Sequence, residues 1–473
     1  MERPSRVASG GSPPRRLVAS ALVACVSLVA FVAAMGVAAA HGGAVRGAAR
    51  ESLAVPTWLF LLTGGGVVGA SFLLASFVTD RVFIAGIHAW RRALPAPSRL
   101  LARVGQVVGV AALVAVVVLG FVGPDTPTRN LAILVVWVGW WGAYLASTYL
   151  VGNSWPSVNP FRTLASLLPS LDRSYPEHLG AWPSVLGLLG LVWLEVTSPL
   201  AEDPRLLAWV IVAYTVVTLA GCVVFTPERW FSTVDPVSRA LAYYGRVAPV
   251  ERTENGFRLR LPGSALSETR LVTGPDEVAF VVAVLFVTTY DGFVSTGLWA
   301  GLARTVVGVG VPPTGVYLGA YLGGFGLFLL AYRLATAVAR RTCDTYLTPT
   351  ELARRFAPAL LPIAAGYHLA HNLGTVLTLA PTFLQVLAAP LSPPVNPTVL
   401  VVPGWFTALD LAFVLLGHLV AVWVAHATAY DLFPSRLQAV RSQYGVTAVM
   451  IAYTMVSLWV VAEPFVTPPF LSS

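Results

Sequence analysis

The sequence predicts an all-α fold, a polytopic transmembrane helix bundle with about ten spans after an N-terminal signal peptide or signal-anchor helix. Hydrophobic residues make up 56% of the 473 residues and charged residues only 11%, whereas an ordinary soluble domain is about 25% charged. Apolar runs close to the ~20 residues that a helix needs to cross a bilayer recur along the whole chain. This composition excludes a soluble globular protein and an intrinsically disordered chain.

Residues 1–40 have the pattern of a secretory signal. Arginines precede an apolar run from Leu17, and Ala38-Ala39-Ala40 forms a small-residue cleavage site. We expect cleavage after Ala40. The run of roughly two dozen residues is also long enough to span, so an uncleaved first transmembrane helix is the alternative. Residues 41–473 then form a single transmembrane helical domain.

Ten further spans follow, and arginine orients them. Arginine-rich and arginine-poor loops alternate along the chain, which places the arginine-rich loops in the cytoplasm and both the mature N-terminus and the C-terminus outside the plasma membrane. The predicted spans are 57–79, 104–124, 130–151, 181–200, 206–226, 277–300, 314–337, 357–379, 405–428 and 445–462.

The longest cytoplasmic loop, 227–276, carries seven arginines and a small hairpin centred on Asn255-Gly256, a type I′ turn signal. The net charge of +8 is therefore explained by orientation and by attraction to anionic lipid headgroups. The lipid bilayer is the expected partner, and no nucleic-acid partner is needed to explain the charge.

The few ionisable residues inside the predicted spans are the candidates for function. Each costs about 2.5–3.5 kcal/mol at the centre of a membrane helix, so each needs a partner or a purpose. Counted at 1.5 Å per residue, six of them fall within ~12 Å of one another along the membrane normal, in the outer half of the bilayer. These six are Glu195, Asp291, His368, His371, Asp410 and His418.

The spacing of these residues predicts a metal or proton site. His368 and His371 share one helical face, and His418 reaches the same depth on the next span. With Glu195 and Asp291 they form a ligand set suited to Cu²⁺, Zn²⁺ or Fe²⁺. Asp410, Asn372 and His426 are expected in a supporting shell or along a proton path. The competing interpretation is a buried hydrogen-bond network that only fixes helix register.

Two further features concern residues near these candidates. If Ala40 is the cleavage site, the mature chain begins at His41, whose α-amine and imidazole together form a copper chelate; a histidine that merely follows the site is the simpler interpretation. Trp137, Trp140 and Trp141 form a helical stripe, and we expect core or lipid-facing packing from them rather than ligand contact.

Several short segments form a set that spreads over nearly the full chain. They are Ala40-His41-Gly42, Gly152-Asn153-Ser154-Trp155-Pro156, Asn159-Pro160, Trp193-Leu194-Glu195, Asp291-Gly292, Gly417-His418, Ala425-His426, Gln443-Tyr444 and Met450-Ile451-Ala452-Tyr453-Thr454. In these segments the chain resembles an uncharacterised family of polytopic membrane proteins from actinobacteria and haloarchaea that is sometimes labelled fenitrothion-hydrolase-like. The resemblance implies an integral membrane protein and an organophosphate-type esterase label. It places Glu195, Asp291, His418 and His426 in a family pattern, whereas the eighth span has two histidines where the family has one.

Three functions are compatible with these residues. The first is a transport or metal-handling protein that binds a divalent transition metal or cycles protons, with an extracytoplasmic metal or redox partner. The second is a membrane-embedded metal-dependent hydrolase, in which Glu195 or Asp291 is the general base; the sequence contains neither H-E-x-x-H nor G-x-S-x-G. The third is an electron-transfer protein with a single haem between His418 and one histidine of the eighth span.

Overall fold

The computed structural model describes residues 57–95, 99–253, 256–268, 271–403 and 405–471. The predicted signal segment and His41 lie outside these residues. Within the described part, helices dominate. They are α1 (Thr57–Phe77), α2 (Arg81–Ala89), α3 (Arg99–Val122), α4 (Leu131–Leu150), α5 (Trp155–Val158), α6 (Pro160–Ala165), α7 (Trp182–Thr197), α8 (Pro204–Phe225), α9 (Pro236–Tyr244), α10 (Pro275–Phe293), α11 (Gly297–Gly308), α12 (Pro313–Cys343), α13 (Pro349–Phe356), α14 (Leu361–Ala388), α15 (Phe406–Leu432) and α16 (Arg436–Ala462).

The helical character of the chain is confirmed, and its apolar helices are compatible with a multi-pass membrane protein. Six of the described helices are long and apolar enough to cross a membrane, and the number rises to eight if each of two bent helix pairs forms one span. The six are α3, α4, α8, α12, α15 and α16. Two further predicted spans coincide with helices that are not among these six. They are α7, which has only 16 residues, and α14, which contains both histidines of the predicted eighth span.

The predicted sixth span, 277–300, is wrong as a single helix. Helix α10 ends at Phe293, and α11 begins at Gly297 at an angle of 81° to it. The side chain of Thr296 accepts a hydrogen bond from the backbone N–H of Trp299 (3.3 Å) and so caps the new helix. Helix α1 breaks in the same way before α2, with a bend of 113° and an Asp80 cap.

A three-stranded antiparallel sheet lies where the hairpin is predicted. Its strands are β1 (Arg91–Leu94), β2 (Val250–Thr253) and β3 (Gly256–Arg260), in the order β1-β3-β2. Thr253 pairs with Gly256 and Val250 with Leu259. Strand β1 comes from the loop that we predict to be the first cytoplasmic one, and its sequence Arg-Arg-Ala-Leu gives no strand signal by itself.

Helix α14 packs against both α10 and α15. Almost every residue of α10 from Val278 to Gly292 is buried. Helices α14 and α15 approach closely at Gly366 and Gly417, where a Cβ on Gly366 would lie 2.5 Å from the Phe413 carbonyl oxygen and one on Gly417 would lie 2.4 Å from that of Pro362. Only glycine permits this backbone contact, which fixes how the histidine-bearing helices face each other.

Candidate functional site

A cavity lies among α4, α7, α10 and α14. It encloses about 330 Å³ of empty space, part of it open to solvent. Five predicted site residues meet there, although they come from three helices. The lining residues are Trp141, Val192, Glu195, Val287, Thr288, Asp291, Tyr367, His368, His371 and Asn372.

The central polar contact in the cavity joins α10 to α14. His371 Nε2 lies 3.3 Å from Asp291 Oδ2. The ring of Tyr367 stacks on that of His371, with centroids 6.1 Å apart and planes 9° apart. Gly292 makes room for this arrangement, because a Cβ there would lie 2.5 Å from the Tyr367 hydroxyl. The adjacent residues Asp291 and Gly292 therefore have complementary roles. Asp291 contacts His371, and Gly292 leaves space for the Tyr367 hydroxyl.

His368 forms the closed end of the cavity. It is only 1% exposed, whereas the side chain of His371 is 24% exposed, so the cavity opens toward the C-terminal end of α14. The Nδ1 atom of His368 shares a hydrogen bond of 2.9 Å with the Tyr149 hydroxyl. Its Nε2 atom has no hydrogen-bond partner among the described residues.

Aromatic rings surround His368. Trp141 lies edge-on to it at 5.6 Å, and Tyr149 and Tyr244 lie at 5.8 and 6.4 Å between centroids. Burial raises the pKa of Tyr244, so this phenol stays neutral. Tyr244 belongs to α9 in the predicted cytoplasmic loop, so that part of the loop folds into the bundle beside the site.

Helices α7 and α4 supply two more of the lining residues, Glu195 and Trp141. Glu195 lies in the last turn of α7, and the Tyr321 hydroxyl of α12 anchors that helix by donating to the Leu189 carbonyl (2.8 Å). Trp141 lies in a π-helical stretch of α4, Val135–Tyr144. Such widened turns are rare and often occur at functional sites.

The electrostatic character of the lining is acidic. Glu195 and Asp291 are 8% and 9% exposed, and no arginine occurs in the described lining. Asn372 donates its amide N–H to the His368 carbonyl (3.0 Å), so its carbonyl oxygen is the group that it offers to a ligand. The lining is therefore rich in acceptors.

Three predicted residues on α15 lie apart from this lining. His418 is fully buried, and its Nδ1 contacts the Val414 carbonyl at 2.8 Å within its own helix. Asp410 is also buried, one turn before Val414. His426 is fully buried as well, with Nε2 2.9 Å from the Val78 carbonyl and Nδ1 3.3 Å from the Gln443 side-chain oxygen. Its partner carbonyl lies at the break between α1 and α2.

Metal coordination is not preformed. Among the described residues, no group of three His, Cys, Asp or Glu side chains is arranged to hold a metal ion. The cavity nevertheless brings one imidazole–carboxylate pair and a second carboxylate to the same lining. A bound metal would require these side chains to close around it.

Sequence reasoning missed four residues around the site. Thr288 and Tyr367 line the cavity but carry no charge to attract attention, and Tyr149 reaches His368 from the end of α4. Trp141 belongs to the stripe that we interpreted as packing, yet it lines the cavity.

Comparison with known proteins finds no matching protein family, no similar curated protein and no similar solved structure.

Proposed function

We propose that this protein is a membrane transport protein that takes up and releases protons at the Asp291–His371 pair. The main observation in support is the contact of 3.3 Å between these two side chains, in a cavity that Glu195 and His368 also line. A proton that moves from His371 Nε2 to Asp291 Oδ2 neutralises both groups. The electrostatic field at Glu195 then changes without any helix movement.

Two general arguments support this proposal. Ionisable groups within transmembrane helices are costly and mark ion or proton pathways, and here four of them line one cavity. Transporter sites also form where helices are interrupted. Asp291 lies two residues before the end of α10, next to the 81° turn into α11.

Proton flux through reconstituted protein tests the proposal. Liposomes that contain a pH-sensitive dye should acidify when a potassium diffusion potential is applied. Asp291→Asn should abolish the protein-dependent flux, because the amide cannot accept the proton of His371. Asp203→Asn is the matched control, since Asp203 is exposed and asparagine preserves its role as the cap of α8. Undiminished flux in Asp291→Asn would refute the proposal.

A metal-handling protein is the second candidate. It is favoured by the presence of His371, Glu195 and Asp291 on one cavity, a mixture of imidazole and carboxylate that suits copper, zinc or iron. Metal analysis of protein purified without chelators distinguishes the two. Stoichiometric metal in wild type that is lost in His371→Ala would replace the proton proposal. His418→Ala in the same assay shows whether the α15 histidine, which does not line the cavity, also contributes to metal binding.

The hydrolase and haem alternatives are tested with the same preparation. A phosphotriester with a chromogenic leaving group reports metal-dependent hydrolysis, and a Soret absorption band reports haem. A rate that depends on added metal and on Glu195 would favour the hydrolase. A band lost in His418→Ala would favour the electron-transfer function.

We further propose ten spans after the N-terminal signal, with both termini of the mature chain outside the plasma membrane. Support comes from the ten helices or helix pairs at the predicted spans and from the alternation of arginine. Cysteine labelling tests it with exposed residues on the two sides. Val401→Cys, at a position 92% exposed, should react with an impermeant maleimide in intact cells. Arg258→Cys should react only after permeabilisation, and the reverse result would invert the topology.

A further inference from the structure

We propose that a groove between the end of α12 and the beginning of α16 binds an anionic phospholipid of the surrounding bilayer. Its phosphate lies against Arg341 and Arg441, and one acyl chain follows the apolar residues of the groove. This inference is separate from the proton function. It requires only that this end of the two helices lies at a membrane surface, as in the proposed arrangement of spans.

Helices α12 and α16 run antiparallel and touch at this end. A Cβ on Gly445 would overlap the Ala335 carbonyl oxygen. Nearer the C-terminus of α12, the Thr342 hydroxyl donates to the Arg441 carbonyl (2.8 Å), which lies nearer the N-terminus of α16. Since Arg341 precedes Thr342, the backbones of Arg341 and Arg441 flank one contact.

Each helix presents an exposed stripe beside this contact. On α12 the stripe is Leu330, Leu334, Val338 and Arg341, and on α16 it is Leu437, Arg441 and Tyr444. Leu334 precedes the contact residue Ala335 by one position, and Tyr444 precedes Gly445 in the same way. An offset of ~100° in the same sense on two antiparallel helices turns both stripes toward one side. The stripes therefore form the two sides of a groove.

The arginines at the end of this groove have no acidic partner within the described ranges. Arg340, Arg341, Arg436 and Arg441 are all exposed, and none of them forms an ion pair, although the exposed acids Asp80, Asp344 and Asp431 belong to adjoining segments. By contrast, Arg354 and Arg355 of α13 both contact Glu351. Guanidinium groups bind phosphate through paired N–H donors, so a phosphate group supplies the missing anion.

The apolar part of the groove fits an acyl chain. From Leu330 to Arg341 helix α12 rises about 17 Å, which is close to half of the ~30 Å hydrocarbon core. A soluble anion makes no use of this stripe, and a second copy docked through the same face brings like-charged arginines together. A phospholipid matches both the charged and the apolar part, as do basic sites beside membrane helices in general.

Native mass spectrometry of the purified full-length protein in detergent tests this inference. Delipidated wild type should bind phosphatidylglycerol and diphosphatidylglycerol but not phosphatidylcholine. Inorganic phosphate and glycerol 1-phosphate, which lack an acyl chain, should not displace the lipid at equal concentration. Equal binding of phosphatidylcholine, or displacement by either soluble phosphate, would overturn the inference.

Variants that remove charge locate the lipid. Arg341→Gln combined with Arg441→Gln should weaken binding about tenfold, because each arginine near a headgroup contributes to the affinity. The matched control combines Arg92→Gln with Arg258→Gln, which removes two exposed arginines from neighbouring strands on the same predicted side. The control should bind as wild type does, and thermal unfolding of each variant checks the fold. An equal loss in both proteins, or an unchanged affinity in the folded Arg341 and Arg441 variant, would contradict the site.

The same spectra distinguish the other occupant and the other proposals. A dimer that persists without lipid and is lost when Arg341 and Arg441 are replaced would assign the groove to a second copy and overturn the lipid site. Detergent solution has no sides, so the result does not depend on which face of the membrane is cytoplasmic. Lipid binding without proton flux would leave this site intact and refute only the proton function.

Discussion

Helices α14 and α15 lie side by side and each carries two buried or half-buried histidines, but the structure uses them differently. On α14, His368 and His371 line a cavity with acids from two other helices. On α15, His418 contacts a carbonyl of its own helix and His426 contacts the end of α1. The two α14 histidines therefore share a cavity with acidic groups, whereas neither α15 histidine lines it and each has one ring nitrogen on a backbone carbonyl.

The largest effect should come from removing the glycine contact that holds the two helices together. Gly366→Leu places a side chain against the Phe413 carbonyl, which a Cβ already approaches within 2.5 Å, so α14 and α15 must separate. We expect little folded protein in detergent. Gly319→Leu on α12 is the control, because a Cβ there meets nothing within 4 Å. Equal yields of the two variants would show that the close contact does not set the bundle.

The next largest effect should separate the two helices by function. His371→Ala removes the partner of Asp291 and should reduce proton flux at least tenfold, whereas His426→Ala should leave the flux per folded molecule unchanged. Both are measured in the liposome assay with the protein content of each preparation determined. A loss of flux in His426→Ala would extend the pathway to α15 and contradict the division drawn above.

His426→Ala should instead lower stability. The Val78 carbonyl and the Gln443 side chain lose their buried partner, and an unsatisfied buried group costs about 1–3 kcal/mol. Unfolding in mixed detergent micelles measures the change. His178→Ala, at an exposed loop position, should have no effect. If both variants unfold alike, His426 contributes nothing to the junction of α1 and α2.

The smallest effect concerns the support of His368. Tyr149→Phe removes the hydrogen bond of 2.9 Å to Nδ1 and should cost about 0.5–1.5 kcal/mol of stability. Because this bond orients the imidazole at the closed end of the cavity, the pH dependence of proton flux should also shift. Tyr244→Phe, which lacks a hydrogen bond to His368 but packs beside it, should leave the pH profile unchanged. A shift of equal size in both variants would make Tyr149 a packing residue.

The site was only partly predictable. Glu195, Asp291, His368, His371 and Asn372 stood out because charged and polar groups are rare in apolar helices, and all five line the cavity. The depth argument grouped His418 and Asp410 with them because it counts residues along the membrane normal and contains no lateral information. Tyr149, Tyr367 and Trp141 gave no signal, since aromatic residues in a membrane helix are ordinary packing.

The fold, like the site, was predictable from the sequence only in part. The hydropathy of α3, α8 and α12 determines helices long enough to cross a membrane, since backbone groups in lipid must bond within their own segment. The sequence alone also showed that the apolar segments contain few charged residues, and it identified the few ionisable side chains within them. The extra strand β1 and the meeting of Asp291 with His371 depend on contacts between residues far apart in the chain. Hydropathy reports how far a segment extends through the bilayer, and only tertiary packing decides which face of each helix meets which neighbour.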